Sequence, residues 1–359
     1  MGRLLRPLLL LTAVVASSAA QSQTNVSFPE LAKRAAAGDA AAEFEVGRAY
    51  EDGKGVQQND DLAVQWFRKA AEQGNARAQN SLGVMYSLGR GVQRNRQEAV
   101  RWYRKAAKQG LSEGLYNVAI SYFNGEGVGE DMTAAYAWML AAQARGDTQA
   151  GDALPHITEE LRGHLEEGKL RLAEMYAKGV DLPQDFAAAA GIYQGLAALG
   201  SRQGFSYAQS EFKLCELYAS GRGVPLDLAE ARSRCRLAGK NGVGFAYVVL
   251  GRMAVKGVGE TQDLAEAESD YRNAIVENVP DGYLELGKLK LQSGSHDDAK
   301  EAYFWFYLAQ RLKISGADEG LSSAAAQLSD KEIAAAQKKT RDWYRMNESE
   351  KRKKKIKIR

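Results

Sequence analysis

The sequence predicts an all-α solenoid of about seven helix hairpins, because one motif recurs at a fixed period. The heptad YEDGKGV at residues 50–56 returns as YSLGRGV, YFNGEGV and YASGRGV. Its first three tyrosines are 36 residues apart, and a tryptophan follows each of them sixteen residues later. Self-similarity of this length is typical of stacked repeats, and no segment alternates as a strand would.

The first twenty residues, MGRLLRPLLLLTAVVASSAA, have the composition of a secretory signal peptide. Two arginines precede a short apolar run, and small residues follow, so cleavage is expected after Ala20. The run is too short to span a bilayer, and no cysteine lies near the cleavage site to carry a lipid. We therefore expect an exported protein, periplasmic or secreted, without a lipid anchor. Residues 21–37 are predicted to be a linker and a capping half-repeat.

Each repeat is predicted to contain two helices joined at the heptad. The first glycine of the heptad takes the left-handed position that ends the first helix, and the second glycine lets the chain reverse. Residues 38–146 hold three regular units, and residues 169–316 hold weaker ones. A single hairpin cannot bury its apolar face, so neighbouring hairpins must stack.

Two segments interrupt or end this array. Residues 147–168 are an insertion that we interpret as a lengthened helix. Residues 317–348 are predicted to form one C-terminal capping helix, which begins at a capping box of Ser329 and Glu332.

A basic tail, residues 349–359, is predicted to be disordered. Its seven positive charges exceed the net charge of +3 for the whole chain, so the remaining body is acidic. Nucleic-acid binding is therefore excluded as the expected function. Either the tail contacts an anionic surface such as membrane headgroups, or it only increases solubility. The basic residues of the tail are Lys351, Arg352, Lys353, Lys354, Lys355, Lys357 and Arg359.

The segment LGVMYSLGRGVQRNRQEAVRWYRKAAKQG resembles the Sel-one-like repeat family, a branch of the tetratricopeptide superfamily. The resemblance covers roughly residues 38 to 316. It implies a right-handed superhelix whose first helices line a concave groove, and a role as an adaptor in protein complexes. Exported bacterial members resemble envelope scaffolds in polysaccharide secretion, motility or signalling. The resemblance thus predicts a protein or peptide partner in the cell envelope.

Nine variable positions on the first helices are candidate groove contacts. The repeat leaves these positions free to change, and stacked variable positions are where a solenoid carries specificity. They fall into three slots, each occupied once in each of the first three repeats. The candidates are Phe44, Asn80 and Tyr116, then Arg48, Val84 and Ile120, and then Glu51, Ser87 and Phe123.

No catalytic, cofactor or metal site is predicted. The three histidines, His156, His164 and His296, lack the spacing and neighbours of a metal site. The tetrapeptide SEFK, residues 210–213, matches the nucleophile motif of penicillin-recognising enzymes, but the other motifs of those enzymes are missing. The tetrapeptide match still leaves one alternative to the scaffold, which is an envelope hydrolase acting on lactam or cell-wall substrates.

The only two cysteines, Cys215 and Cys235, are predicted to form a disulfide within the fifth hairpin. Cys215 stands three residues before its heptad tyrosine, and Cys235 stands seventeen residues after it. These two slots should face each other across the hairpin, and an even number of exported cysteines commonly pairs. Two buried thiols are the alternative.

Overall fold

The computed structural model describes residues 27–161, 163–200 and 204–357. Over these residues the chain forms eighteen α-helices and no strand, which confirms the predicted all-α class. The predicted signal peptide lies outside the described residues. The chain divides into two compact units, and the division between Ile192 and Tyr193 falls inside helix α10.

The first unit begins with a single helix and continues with helix pairs. α1 packs on α2, and α2–α3, α4–α5 and α6–α7 are closely packed hairpins. Each hairpin also packs its second helix on the first helix of the next one. The helices are α1 (Phe28–Ala36), α2 (Ala40–Asp52), α3 (Asp60–Glu72), α4 (Ala76–Leu88), α5 (Arg96–Lys108), α6 (Ser112–Asn124), α7 (Met132–Ala144), α8 (Thr148–Leu161), α9 (Leu165–Lys178) and α10 (Phe186–Ala198).

The second unit repeats the same hairpin three times and ends with two further helices. The pairs α11–α12, α13–α14 and α15–α16 are each closely packed, and α17 and α18 both pack on α16. With α9 and α10, seven helix pairs follow one another along the described chain, as predicted. The helices are α11 (Phe205–Ser220), α12 (Leu228–Lys240), α13 (Phe245–Lys256), α14 (Leu264–Val276), α15 (Asp281–Gln292), α16 (His296–Arg311), α17 (Ala317–Ala325) and α18 (Asp330–Lys357).

The heptad ends one helix and leads into the next. Its first glycine is the left-handed C-cap of the first helix in six of the seven pairs, for example Gly53 with φ 70°. In the same six pairs the second helix begins at an Asn or Asp whose side chain accepts a backbone N–H of the first turn, as Asn95 accepts from Glu98 at 3.0 Å. Such caps stabilise the ends of helices that are only about thirteen residues long.

The second glycine of the heptad is needed for contact between repeats. A Cβ on Gly91 would lie 2.2 Å from the carbonyl oxygen of Asp60, in the first turn of the preceding second helix. A Cβ on Gly127 would meet the carbonyl oxygen of Arg96 in the same way, at 2.2 Å. The heptad of one repeat therefore lies directly against the backbone of the repeat before it.

Inside each hairpin, a small residue of the first helix receives a large one from the second. The ring of Phe67 covers Gly47, and the ring of Tyr103 covers Gly83, so closely that a Cβ on either glycine would lie 2.6 Å from it. The same arrangement recurs in the second unit, where Tyr271 covers Gly251. Bulky and small residues alternate across the pair, which lets the two helices approach closely.

The insertion at residues 147–168 differs from the prediction. Instead of one lengthened helix, the chain forms α8, a turn around Gly163, and then α9. Gly163 has φ 93°, a left-handed conformation that ends the helix before the fourth repeat begins. Both α8 and α9 pack on α7, so the insertion adds one helix beside the third hairpin.

The C-terminal segment also differs. The predicted single capping helix is two helices, α17 and α18, and only half of the capping box forms, with the backbone N–H of Ser329 donating to Glu332 Oε2 at 3.0 Å. α18 continues to Lys357, so residues 349–357 are helical. The prediction of a disordered tail is wrong for these residues. Lys, Arg and Glu are good helix formers, and no Gly or Pro interrupts this stretch. Arg359 lies outside the described residues.

Candidate functional site

Five of the nine candidate groove residues are buried and cannot serve as contacts in the way predicted. Phe44 belongs to a core cluster, where its ring lies 5.8 Å from that of Phe67. Side chains packed inside the protein in this way are not available to a partner. The five are Phe44, Ser87, Tyr116, Ile120 and Phe123.

Four candidates remain partly accessible, and two of them are held by ion pairs. Arg48 contacts Asp52 one turn later, at 3.4 Å, and Glu51 contacts Arg90 of the next repeat, at 3.2 Å. Burial raises the pKa of the Glu51 carboxyl, and Arg90 opposes that rise. Asn80 and Val84, both on α4, are half-buried and form no ion pair.

Asn80 is hydrogen-bonded to Asn117, which is not one of the nine predicted groove contacts. The side-chain amide of Asn117 on α6 donates to Oδ1 of Asn80 on α4 at 2.9 Å. Asn117 lies one position later in its repeat than the slot of Asn80. The offset between stacked repeats, which a slot-by-slot alignment does not contain, brings the two amides together.

At three junctions the same kind of hydrogen bond joins one repeat to the next. Arg68 donates to the hydroxyl of Tyr86 at 2.8 Å, Arg104 donates to that of Tyr122, and in the second unit Gln194 donates to that of Tyr218 at 3.1 Å. In every case a side chain of a second helix reaches the heptad tyrosine of the following repeat. These three heptad tyrosines therefore join successive hairpins.

The first two of these junctions also carry ion pairs of opposite polarity. Arg90, in the second heptad, binds both carboxylate oxygens of Asp60, at 2.8 and 3.1 Å. At the next junction Glu126 takes the position in its heptad that Arg90 has in the second heptad, and it binds Arg96 at 3.0 Å. The two pairs use the same two positions with the charges exchanged.

Cys215 and Cys235 lie opposite each other in the second unit, as their slots predict. A disulfide joins them between α11 and α12, with Cα atoms 5.3 Å apart, and both residues belong to a buried apolar cluster. They take the place of the glycine and the aromatic ring that face each other in other hairpins.

The SEFK motif is not arranged for catalysis. Ser210 is 0% exposed, and its hydroxyl donates to the carbonyl oxygen of Ser206 at 2.7 Å. Lys213 forms an ion pair with Glu216 at 2.7 Å. A nucleophile must reach its substrate and be activated by a base, so this serine does not support the hydrolase alternative.

The histidines and acidic residues do not form a metal site either. His164 contacts Glu167 at 3.3 Å, and His296 contacts Glu332 at 2.8 Å, each as a simple surface pair. Within the described parts of the chain, no group of three or more His, Cys, Asp or Glu is arranged to hold a metal ion. Nor does that part of the chain contain a helix with the length and apolarity needed to cross a membrane.

A partly buried cluster of charged side chains joins the fifth and sixth hairpins. Arg232 on α12 is fully buried and binds Glu266 on α14, while Arg236 binds Glu266 at 2.9 Å and Glu260 at 3.2 Å. Asp270, one turn after Glu266, takes the position that tryptophan has in the first three repeats.

The carboxyl of Asp270 is only 8% exposed, and its Oδ2 accepts no hydrogen bond from the described residues. Burial, with a smaller contribution from Glu266, raises its pKa to about 6, although Arg232 and Arg236 act in the opposite direction. Tyr247 on α13 and Tyr271 on α14 are two further titratable groups near this carboxyl. Compared with the unfolded chain, the folded protein therefore favours the protonated form of Asp270.

Because the pKa of Asp270 is raised, we expect the free energy of unfolding to depend on pH. Because its pKa is higher in the folded state (about 6) than the ordinary 3.8, wild-type stability falls as pH rises through that interval. Asp270→Asn removes this titration. The free energy of unfolding of the variant relative to that of the wild type is therefore expected to rise by about 2 kcal/mol from pH 4 to pH 7, after allowance for solvent screening. Urea unfolding of both proteins across this range measures the difference, and a difference independent of pH would contradict the prediction.

These features define an all-α repeat solenoid in which hairpins stack through fixed positions. The sequence pattern of the Sel1 repeat matches residues 40–75, 76–111, 112–147, 167–201, 208–233 and 280–311. Since the matched segments make up more than half of the chain, the protein belongs to the Sel1 repeat family. Repeats of this family typically form scaffolds for protein–protein interaction.

Solved structures include similar chains. A Sel1 repeat protein from Oxalobacter formigenes is 23% identical, with 82% of this chain and 79% of that chain covered and a TM-score of 0.39. The protective antigen c5321 of uropathogenic Escherichia coli, which has an SLR fold, is 22% identical over 90% and 97% of the two chains, with a TM-score of 0.32. A putative Sel1 repeat protein from Klebsiella pneumoniae is 20% identical over 63% and 98%, with a TM-score of 0.26. No curated protein matches the chain.

Proposed function

We propose that this protein is a periplasmic interaction scaffold that binds a protein or peptide along the first helices of its repeats. The observation that carries the proposal is the partly accessible face of α4, where Asn80 and Val84 lie between firmly packed positions. The contacts between repeats hold this face in place, so little ordering would be needed on binding. A non-enzymatic role is part of the proposal.

Placement in the cell envelope rests on two features. The N-terminal residues have the composition of an export signal, and the disulfide between α11 and α12 is of a kind that persists in oxidising compartments. Within the envelope, the resemblance to exported Sel-one-like scaffolds favours an assembly for polysaccharide secretion or for signalling as the setting.

Photo-crosslinking tests the binding face. A photoreactive amino acid at Val84 is expected to capture a protein partner in intact cells, because this side chain is half-buried on the proposed face. The same residue at Gln65, exposed on the second helix α3, serves as the matched control. Equal capture at both positions, or none at Val84, would exclude this face as the binding site.

The basic end of α18 provides a further contact in this proposal. Its lysines and arginines continue one helix to Lys357, and each basic side chain near an anionic membrane contributes about 1 kcal/mol. Deletion after Glu350 is expected to weaken binding to vesicles containing phosphatidylglycerol more than tenfold at low salt. Sedimentation with vesicles measures this loss.

The control for the tail keeps its length and changes its charge. Replacement of Lys353, Lys354 and Lys355 by glutamate should reduce vesicle binding like the deletion, while vesicles of phosphatidylcholine alone should bind neither protein. If the full chain and the deletion variant bind anionic vesicles equally, the tail only increases solubility.

A further inference from the structure

The amide pair on the first helices has hydrogen-bonding capacity to spare. Asn117 uses one N–H and Asn80 uses one lone pair in the bond of 2.9 Å that joins them. A side-chain amide carries two donors and an oxygen with two lone pairs. Among the described contacts, the Nδ2 donors of Asn80 and the Oδ1 of Asn117 have no partner. The pair thus keeps free donors on Asn80 and a free acceptor on Asn117, and both side chains are half-buried.

The two helices that carry this pair are almost free of charge. α4 contains one charged residue, Arg77, and α6 contains one, Glu113, and each lies in the first turn of its helix. The neighbouring first helices differ, since α2 and α9 each carry at least five charged residues. A partner segment lying across α4 and α6 meets amides and apolar side chains, and a charged segment would lose hydration there without an ion pair in return.

A polypeptide main chain has groups that match this pair. Each peptide unit presents one N–H and one C=O, and an extended chain offers them outward at regular intervals. We infer that Asn80 and Asn117 together bind the main chain of an extended, uncharged polypeptide segment, with Val84 contacting one of its side chains. This inference rests on the proposed function and names the kind of partner that the face accepts.

Recognition of this kind depends on the backbone of the partner more than on its sequence. The remaining specificity comes from the half-buried Val84 and Ser81, which lie on α4 close to Asn80 in sequence. A partner region without lysine, arginine, aspartate or glutamate at its centre fits this face.

The test uses the full chain and random-sequence peptides displayed on phage. Peptides retained by the wild type are synthesised, and their affinities are measured by fluorescence anisotropy for the wild type and for the double variant Asn80→Ala, Asn117→Ala. The double variant is expected to bind about tenfold more weakly. The matched control is Asn124→Ala, an exposed asparagine at the end of α6, which should leave the affinity unchanged.

Methylation of the peptide distinguishes main-chain recognition from a general effect on the groove. Methylating one backbone nitrogen at a time should reveal a position that weakens binding to the wild type but not to the double variant. Should the double variant fold poorly by circular dichroism, Asn80→Asp replaces it, because the carboxylate keeps an oxygen for Asn117 and removes the free donors.

Three outcomes would overturn the inference. Equal peptide affinity of all variants would refute the role of the two asparagines while leaving the scaffold proposal intact. Loss of affinity in the double variant without any methylation-sensitive position would refute main-chain binding. Retention of a neutral oligosaccharide such as maltoheptaose, with no peptide retained, would replace the polypeptide by a glycan, and crosslinking at Val84 would then decide the scaffold proposal separately.

Discussion

Gly91→Ala is expected to lower the free energy of unfolding by about 3 to 5 kcal/mol. Gly91 has φ 60°, which an alanine adopts only at a cost, and its new Cβ would lie 2.2 Å from the carbonyl oxygen of Asp60. That oxygen belongs to the backbone of the preceding repeat, so the conflict is relieved only if two repeats move apart. Urea unfolding followed by circular dichroism measures the effect.

The first heptad offers a matched control for this substitution. Gly55 takes the same position and has φ 76°, but its nearest neighbour is the Cβ of Phe28 at 3.6 Å. Gly55→Ala should therefore cost only the backbone strain, about 1 to 2 kcal/mol. Similar losses for the two variants would show that the close approach between repeats does not limit this position.

Removal of the disulfide in the fifth hairpin is expected to cost about 3 kcal/mol, since the bond closes a loop between residues 20 positions apart. The double variant Cys215→Ala, Cys235→Ala and the reduced wild type should lose similar amounts. Reductant should have no effect on the double variant. Intact mass measurement of unreduced protein isolated from cells under alkylating conditions provides an independent test, and two free thiols would refute the pairing.

The sequence predicted those parts of the fold that each repeat can form by itself. The heptad contains its own helix C-cap, and the spacing of Gly47 to Phe67 within one hairpin recurs as Cys215 to Cys235. Such features depend on local geometry, which an identical period reproduces in every copy. The helix pairs, their order and the facing of the two cysteine slots were therefore accessible from residue spacing.

The candidate site was harder to predict because it depends on how two repeats meet. Aligning repeats by slot shows which positions vary, but the variation of Phe44 and Ile120 reflects packing at junctions that differ in shape. Asn117 was missed because its partner Asn80 is one slot away in the aligned frame. An uncharged pair of asparagines at adjacent slots of successive repeats is the signal that could have found it.

The exchanged charges at successive junctions also restrict how this chain can evolve. Arrays with a 36-residue period can lose or gain a unit by unequal recombination, and a loss of residues 76–111 would keep the period intact. It would also bring the heptad of the third repeat against the second helix of the first, so that Glu126 would face Asp60. Two carboxylates at one junction repel each other, whereas in the present chain Asp60 is paired with Arg90 and Glu126 with Arg96. The opposite polarity of these two ion pairs thus selects against loss of the second repeat and favours keeping the first three repeats in their present order.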